Sequence, residues 1–508
     1  MDLRFSDKGT FKVLQMADIQ DGPDVNDDTI RLIQAAIDDA KPDLVVLTGD
    51  QIRGYDPTYI DTFLRRRGEK PGANIRAVTK LEAKVQHIEP AAEGDEAADR
   101  LMDETREKVR ETFSAFLGPV VAAKIPFAAT YGNHDFQCGI LPSEQDDLYR
   151  ELPGCLNPNI HPDEPSALAK PNPLACEPGT FAIPVASSDG ERIAMSVMMV
   201  NSGDYAEQAP DDKQSPDDAG QSAHHTESSS DHAGQSPNFS TANEDNGHNS
   251  AHSSAATPTF EDYSQHSHKL DLTDSDGYGT PSPKAVQWLE DVQSHLGEVN
   301  GDGEPVPAIA FQHIPPQEFV DALLPVPAWT PYAVEGTRNY AGQCYVLNKA
   351  VCRPGSQLGE FIGCADTNCG EVAAMRKAGG YFALFSGHDH KNDFVAHVDG
   401  LDLGYAPTCG FTSYGPKSAL RGIRLFTFHE SDPAAYQTRM LTWSELIGEP
   451  SQEEVRVFIG DHLITDGASA RNELRRPPVA ATLALAAAGV AHVIWHGLHR
   501  LFRKGKRR

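Results

Sequence analysis

Basic residues are scarce in this chain. Its 508 residues include 44 Lys and Arg against 73 Asp and Glu, a formal charge of −29. Such a surface repels phosphate backbones over most of its area, so no nucleic-acid partner is expected. Cysteine is sparse too, at 8 residues, and the 42 glycines and 36 prolines follow no fixed period. Those two facts exclude disulfide-scaffold and collagen-like classes. The first residues, MDLRFSDKGTFKVLQMAD, lack the basic start and sustained apolar stretch of a secretory leader, so a cytoplasmic location is expected. Thiols stay reduced there. No C-x-x-C spacing favours a zinc site, and Cys138, Cys155, Cys176, Cys344, Cys352, Cys364, Cys369 and Cys409 read as small hydrophobes. The G-x-S-x-G elbow and the G-x-x-x-x-G-K-[ST] loop are both missing, so no covalent enzyme intermediate is expected.

What is present falls into blocks. Residues 206–276 hold 14 acidic and 2 basic residues and no Val, Ile, Met or Trp. Without apolar mass that stretch cannot offset the entropy of ordering, and it reads as a disordered, acidic, His- and Ser-rich insertion. Before it, FKVLQM (11–16) reads as a strand, Asp27 or Asp28 as the cap of a helix carrying Ile30, Ile33 and Ile37, and LVVL (44–47) as the next strand. Strand, helix, strand is a βαβ unit, which implies parallel pairing in an α/β fold. A long helix is predicted near 98–117, stopped by Gly118 and Pro119. The resulting plan is a catalytic domain in two parts, 1–205 and 277–430, interrupted by the insertion, then an extension over 431–470 and a basic, apolar helix over 471–508.

That last block changes character. Residues 479–495, VAATLALAAAGVAHVIW, are almost wholly apolar, with Arg471, Arg475 and Arg476 before them and Arg500, Arg503, Lys504, Lys506, Arg507 and Arg508 after. The length is marginal for spanning a bilayer, and a basic amphipathic helix also suits an anionic membrane surface. A membrane partner is expected through this helix, spanning or interfacial; the plainer reading packs it on the body.

Five short motifs follow apolar strands in order. They are ADIQ with Asp18 and Gln20, TGDQIRG with Asp50, YGNHD with Asn133, His134 and Asp135, FQHIPP with His313, and SGHDH with His388 and His390. Side chains at the C-terminal ends of neighbouring strands converge in one crevice. Taken singly, Asp18 or Asp50 reads as a turn or cap residue and His313 as a structural histidine. GNHD and GHDH are sharper, because adjacent polar residues at the mouth of an apolar strand have no packing reason to be there. Mixed oxygen and nitrogen donors suit Mn, Fe or Zn.

With these motifs the chain resembles the calcineurin-like metallophosphoesterases, over residues 11 to about 428. NSGDY (201–205), GYG (277–279), QWL (287–289), GHDHKNDF (387–394) and GFTSYG (410–415) resemble the branch related to purple acid phosphatases. The resemblance implies a four-layer sandwich of two mixed β-sheets flanked by helices. It also implies hydrolysis of phosphomonoesters, or less readily diesters, in a phosphorylated small molecule or phosphopeptide. Two divalent or trivalent metal ions are implied, one held by Asp18, Gln20, Asp50 and His390 and the other by Asp50, Asn133, His313 and His388. A hydroxide bridging them would attack phosphorus, with His134 as general acid. Asp135 is expected either to orient the His134 ring or to cap a turn. NSGDY and GYG should be near neighbours, which marks the residues between them as inserted.

One position departs from the pattern. The family places His where this chain has Gln20, and purple acid phosphatases add a Tyr ligand where this chain has Arg53. A neutral amide is a poorer ligand for a transition metal than imidazole. A catalytically weak metal-binding or membrane-tethered interaction protein therefore stands as the alternative. Arg338 and Asn339 could reach a phosphate from a loop; the blander role for Arg338 is a surface salt bridge.

Overall fold

The computed structural model describes residues 3–72, 77–92, 94–160, 172–206, 275–464 and 467–505. The reading of 206–276 as a disordered insertion lies outside these residues except at its two ends. In chain order the strands are β1 (Thr10–Met16), β2 (Leu44–Thr48), β3 (Phe127–Thr130), β4 (Ala175–Glu177), β5 (Thr180–Ala186), β6 (Ile193–Met199), β7 (Ala308–Phe311), β8 (Leu323–Val326), β9 (Val334–Glu335), β10 (Cys344–Leu347), β11 (Tyr381–Ser386), β12 (Val395–Val398), β13 (Leu401–Tyr405), β14 (Gly422–His429) and β15 (Gln437–Thr442). One sheet runs β15-β14-β1-β2-β3, a second β12-β13-β11-β7-β6-β5-β4, and a small third β8-β10-β9. In the first, β1, β2 and β3 are parallel while β14 and β15 add an antiparallel edge. In the second, β6, β7, β11 and β13 are parallel and the outer strands antiparallel.

Side chains alternate along a strand, so each central strand feeds two layers. Val13 of β1 and Val46 of β2 join one buried cluster with Val197, Ile309, Phe311 and Phe385 of the second sheet. Leu14 and Met16 point the other way and pack with Leu32, Ile33 and Ala36 of the helix Asp27–Ala40 and with Phe113 and Phe116 of the helix Asp95–Ala122. Across the molecule, Met198, Ala310 and Leu384 pack with Leu289, Val292 and Leu296 of the helix Pro283–Asn300. Helix, sheet, sheet, helix is the four-layer sandwich that the family resemblance implied.

Several local expectations need correction. The first helix is capped by Asn26, whose side chain accepts from Asp28 N–H, rather than by Asp27 or Asp28. The long helix continues through Gly118 and Pro119 to Ala122. Pro119 removes one donor there, but burial of Val120 in the core keeps the last turn helical. The stretch after residue 430 begins as sheet, since Gln437–Thr442 pairs along Gly422–Thr427 of β14 and Trp443 is buried against Phe411. All eight cysteines are free thiols, five of them buried.

Glu371, the first residue of the helix Glu371–Ala378, is buried and accepts a hydrogen bond of 2.9 Å from Gln312 Nε2. Burial pushes its carboxyl from 4.5 up to about 8. A carboxyl raised in the folded state stabilises fully below its unfolded pKa and loses that contribution as pH climbs through the folded one. Between pH 4.5 and 9, urea unfolding is therefore expected to show a pH-dependent loss on the order of 4 kcal/mol in the parent chain that Glu371→Gln lacks.

Candidate metal centre

Each of the five motifs begins where a parallel strand ends. β1, β2 and β3 of the first sheet lead to Asp18, Asp50 and Asn133, while β7 and β11 of the second lead to His313 and to His388 with His390. The two sheets thus deliver their polar side chains to one shared end of the sandwich.

There Asp18, Asp50 and His390, all buried, each offer one ligand atom, and these atoms lie within 4.8 Å of one another. His390 Nε2 is 3.2 Å from Asp18 Oδ1, an oxygen with no well-aligned hydrogen-bond donor among the described residues. On the other side of Asp50, His313 Nε2 lies 3.3 Å from Asp50 Oδ2, 3.1 Å from Asn133 Oδ1 and 3.2 Å from His388 Nδ1. A buried carboxylate oxygen without a donor costs free energy. Carboxylates, imidazoles and an amide gathered around Asp50 make a mixed oxygen and nitrogen donor set, so the residues fit a cation. Gln20 also reaches the centre, but its amide Nε2 donates to Asp50 Oδ2 at 2.8 Å. The amide therefore sits against the Asp50 carboxylate, with its oxygen one terminal rotation from the same place.

The electrostatics follow from this crowding. Burial alone would raise the Asp50 carboxyl, yet the His313 and His134 imidazoles hold it far below the ordinary range. Burial alone would lower His313, and the Asp50 charge overcomes it and brings the ring up to about 9. His388 is pushed well down, first by burial and then by the neighbouring His313 charge. A bound cation would take over the role of the His313 proton in balancing Asp50.

Tight packing of loops makes the convergence possible. Asp18, Gln20, Asp50 and His388 all have left-handed backbone, with φ of 53°, 43°, 52° and 73°. Few non-glycine residues adopt that region, and it collects at functional sites. The glycines of TGD and YGN have a steric reason: a Cβ on Gly49 would sit 2.5 Å from His313 Nδ1, and one on Gly132 would sit 2.2 Å from Asp50 Oδ1.

A ring of supporting contacts orients the site. His313 Nδ1 donates to Thr48 O at 2.9 Å and His390 Nδ1 to Tyr414 O at 2.7 Å, fixing Nε2 as the inward nitrogen of each. The Tyr414 ring stacks on His390 at 4.1 Å. Its loop is pinned by fully buried Arg421, which donates to the carbonyls of Gly410, Ser413 and Pro416. Asn133 Nδ2 donates to Tyr205 Oη at 2.9 Å, and the Tyr278 ring meets His388 edge-on at 4.4 Å. Tyr205, Tyr278 and Tyr414 stand in NSGDY, GYG and GFTSYG, and nothing in those short stretches shows which histidine or amide each one meets. Tyr205 and Tyr278 also pair with each other in a β-bridge, so the ends of the expected insertion are neighbours.

Of the two roles expected for Asp135, orienting the His134 ring is corrected. Its carboxylate accepts from the backbone N–H groups of Asp50 (2.8 Å), Ile52 (3.1 Å) and Gly132 (2.8 Å), binding the GD loop to the GN loop. The His134 ring instead places Nδ1 2.9 Å from Gln137 Oε1 and packs edge-on to Tyr55. Arg53 turns away into an ion pair with Asp56 and Glu82. Arg338 and Asn339 both bind Asp366, Arg338 through Nε at 2.6 Å, so the salt-bridge role holds.

A family model described as calcineurin-like phosphoesterase matches residues 11–392. The chain belongs to that family. This calcineurin-like phosphoesterase is 25% identical over 150 residues to "Probable inactive purple acid phosphatase 28" of Arabidopsis thaliana, covering 29% of this chain and 30% of that protein. It is 38% identical over 58 residues to "Probable inactive purple acid phosphatase 14" of the same organism, covering 11% and 14%. The match thus spans less than a third of the length of either curated relative. Among solved structures, a dimetal phosphatase from Danio rerio aligns over 85% of this chain and 99% of its own at 13% identity, with a TM-score of 0.36. A protein of Thermus thermophilus aligns over the same shares at 8% identity and a TM-score of 0.29.

Asp135→Asn replaces an acceptor oxygen by an amide donor among three backbone donors. It is expected to lower stability in urea unfolding by about 2–4 kcal/mol and to weaken metal binding roughly 10- to 100-fold in a Mn titration.

Proposed function

We propose that this calcineurin-like phosphoesterase hydrolyses phosphomonoesters, with diesters secondary, at a two-metal centre. The observation that carries the reading is the position of Asp50: one buried carboxylate flanked by Asp18 and His390 on one side and by His313, Asn133 and His388 on the other. Asp18, Gln20 through its amide oxygen, Asp50 and His390 would hold one cation, and Asp50, Asn133, His313 and His388 the second. Mn, Fe or Zn, when bound, would polarise phosphoryl oxygens and make a water acidic enough to attack near neutral pH. A carboxylate shared between two like charges offsets their repulsion.

His134 carries the proton transfer. Gln137 Oε1 accepts from Nδ1, so a protonated ring presents its Nε2–H toward a leaving oxygen. Tyr55 holds the ring plane. The substrate reads as a phosphorylated small molecule or phosphopeptide, met by a protein whose bulk charge of −29 disfavours nucleic acid. We retain the two-part catalytic domain split by an insertion between 206 and 276, and place the body in the cytoplasm. The helix Pro477–Gly505 is long and apolar enough over Pro477–His496 to cross a membrane, and none of that window is buried; we read it as a bilayer segment.

A second reading has its own observation. Gln20 turns its nitrogen to Asp50, and the two curated relatives carry "inactive" in their names; a metal-binding, membrane-tethered interaction protein would look the same. Steady-state hydrolysis of p-nitrophenyl phosphate with added Mn separates the two. Turnover that falls about 100-fold or more in His134→Ala, at unchanged metal content by elemental analysis, is the expected result. A fully metal-loaded chain without turnover on Mn, Fe or Zn would establish the second reading instead. Gln20→His adds an imidazole ligand and is expected to tighten Mn binding about tenfold; an unchanged titration removes position 20 from the coordination sphere.

A further inference from the structure

Large apolar side chains lie exposed on the body at one corner, around the root of the helix Pro477–Gly505. Trp329 is 83% exposed and Tyr332 58%, on the loop between β8 and β9. Val455, Phe458 (64%) and Ile459 project from the outer side of the helix Glu454–Asp461, whose Val457 is buried in the core below. Leu474 completes the set from the helix Gly467–Arg475.

These elements are joined to the apolar helix at its base. Tyr332 N–H donates to Arg475 O at 3.0 Å, and Arg475 Nε to Ala328 O at 2.7 Å. A cavity of about 590 Å³ between them is lined by Trp329, Pro331, Leu474 and by Pro477 and Ala480 of the apolar helix itself. Ion pairs hold the root in place: Arg471 on Glu335 at 2.6 Å, and Arg476 on Asp461 at 3.0 Å and on Glu473 at 2.9 Å. The corner and the helix therefore form one continuous surface.

We propose that this corner is a docking face for a lipid bilayer, lying in the headgroup layer where the helix Pro477–Gly505 enters; the proposal rests on the reading of that helix as a bilayer segment. Three observations select a bilayer over a protein partner. None of the segment Pro477–His496 is buried and its apolar side chains beyond Ala480 are exposed all round, whereas a partner protein covers one stripe of a helix and leaves the other side polar. Twenty residues at 1.5 Å each make about 30 Å, the thickness of the hydrocarbon layer. Trp and Tyr at the mouth of such a segment are the side chains that settle at the membrane–water interface.

The face also lies one residue layer from the metal centre. A Cβ on Gly460 would sit 3.1 Å from Tyr414 Cα, and Tyr414 stacks on His390. Lys391, next to His390, donates to Asp461 O at 2.7 Å. Docking at this corner holds the centre close to the headgroups.

Tryptophan quenching in the full-length protein, reconstituted with phosphatidylcholine–phosphatidylglycerol vesicles carrying brominated acyl chains, tests this. With Trp288→Phe and Trp495→Phe, Trp329 reports on the face beside buried Trp443. With Trp288→Phe and Trp329→Phe, Trp495 reports on the apolar helix. Brominated vesicles are expected to quench both reporters, and adding Phe458→Ser with Ile459→Ser is expected to cut Trp329 quenching at least twofold while Trp495 quenching persists. Quenching of Trp495 with Trp329 untouched overturns the docking face and leaves the helix reading intact. Quenching of neither overturns both. A chain that stays off vesicles and elutes as a dimer gives the face to a second copy and overturns the proposal.

Discussion

A negative charge buried between two sheets has to be answered from several directions at once, and the Asp50 carboxylate is answered from three. His134 N–H reaches Oδ1, Gln20 Nε2 and His313 Nε2 reach Oδ2, and its own N–H is held by Asp135. Those partners sit on loops after β1, β3 and β7, so one carboxylate draws together segments from both layers. Uncompensated, such a charge would cost several kcal/mol. The left-handed backbone at Asp18, Gln20, Asp50 and His388 is the local cost of bringing the loops that close, and the packed sandwich beneath them holds it.

Around this charge the support is graded. Backbone carbonyls of Thr48 and Tyr414 set the tautomers of His313 and His390, aromatic rings restrict His388, His390 and His134, and Arg421 holds the loop that carries Tyr414. The same Tyr414 lies against Gly460 of the apolar corner. The end of the sandwich that gathers Asp18, Asp50 and His390 and the root of the C-terminal helix therefore share a wall.

The motif residues were legible because each follows an apolar strand and lacks a packing reason to be polar; Asp18, Asp50, Asn133, His313, His388 and His390 are all found where that logic puts them. Less legible was anything set by direction. Asp135 looked like a partner for its neighbour His134, yet a residue at the start of a 3-10 turn points away from the preceding ring and into the adjacent loops. Gln137, three residues on, takes the ring instead. The side-chain amide of Gln20 meets Asp50 Oδ2 through its nitrogen, a contact between the loops after β1 and β2 that no local pattern encodes. Asn26 capped the first helix ahead of two acidic candidates because the chain turned one residue earlier.

Composition and pattern alone determined the acidic surface, the βαβ start, the five strand-end motifs and the apolar tail, because charge, period and strand-end chemistry are local properties of the chain. Tertiary structure alone decided which nitrogen of each histidine faces inward, that Asp135 ties two loops together, and that Trp329 and Phe458, 129 positions apart in sequence, flank the same helix root. Those outcomes depend on where separate segments meet after the sheets have packed, and no local pattern encodes a distance between segments that far apart.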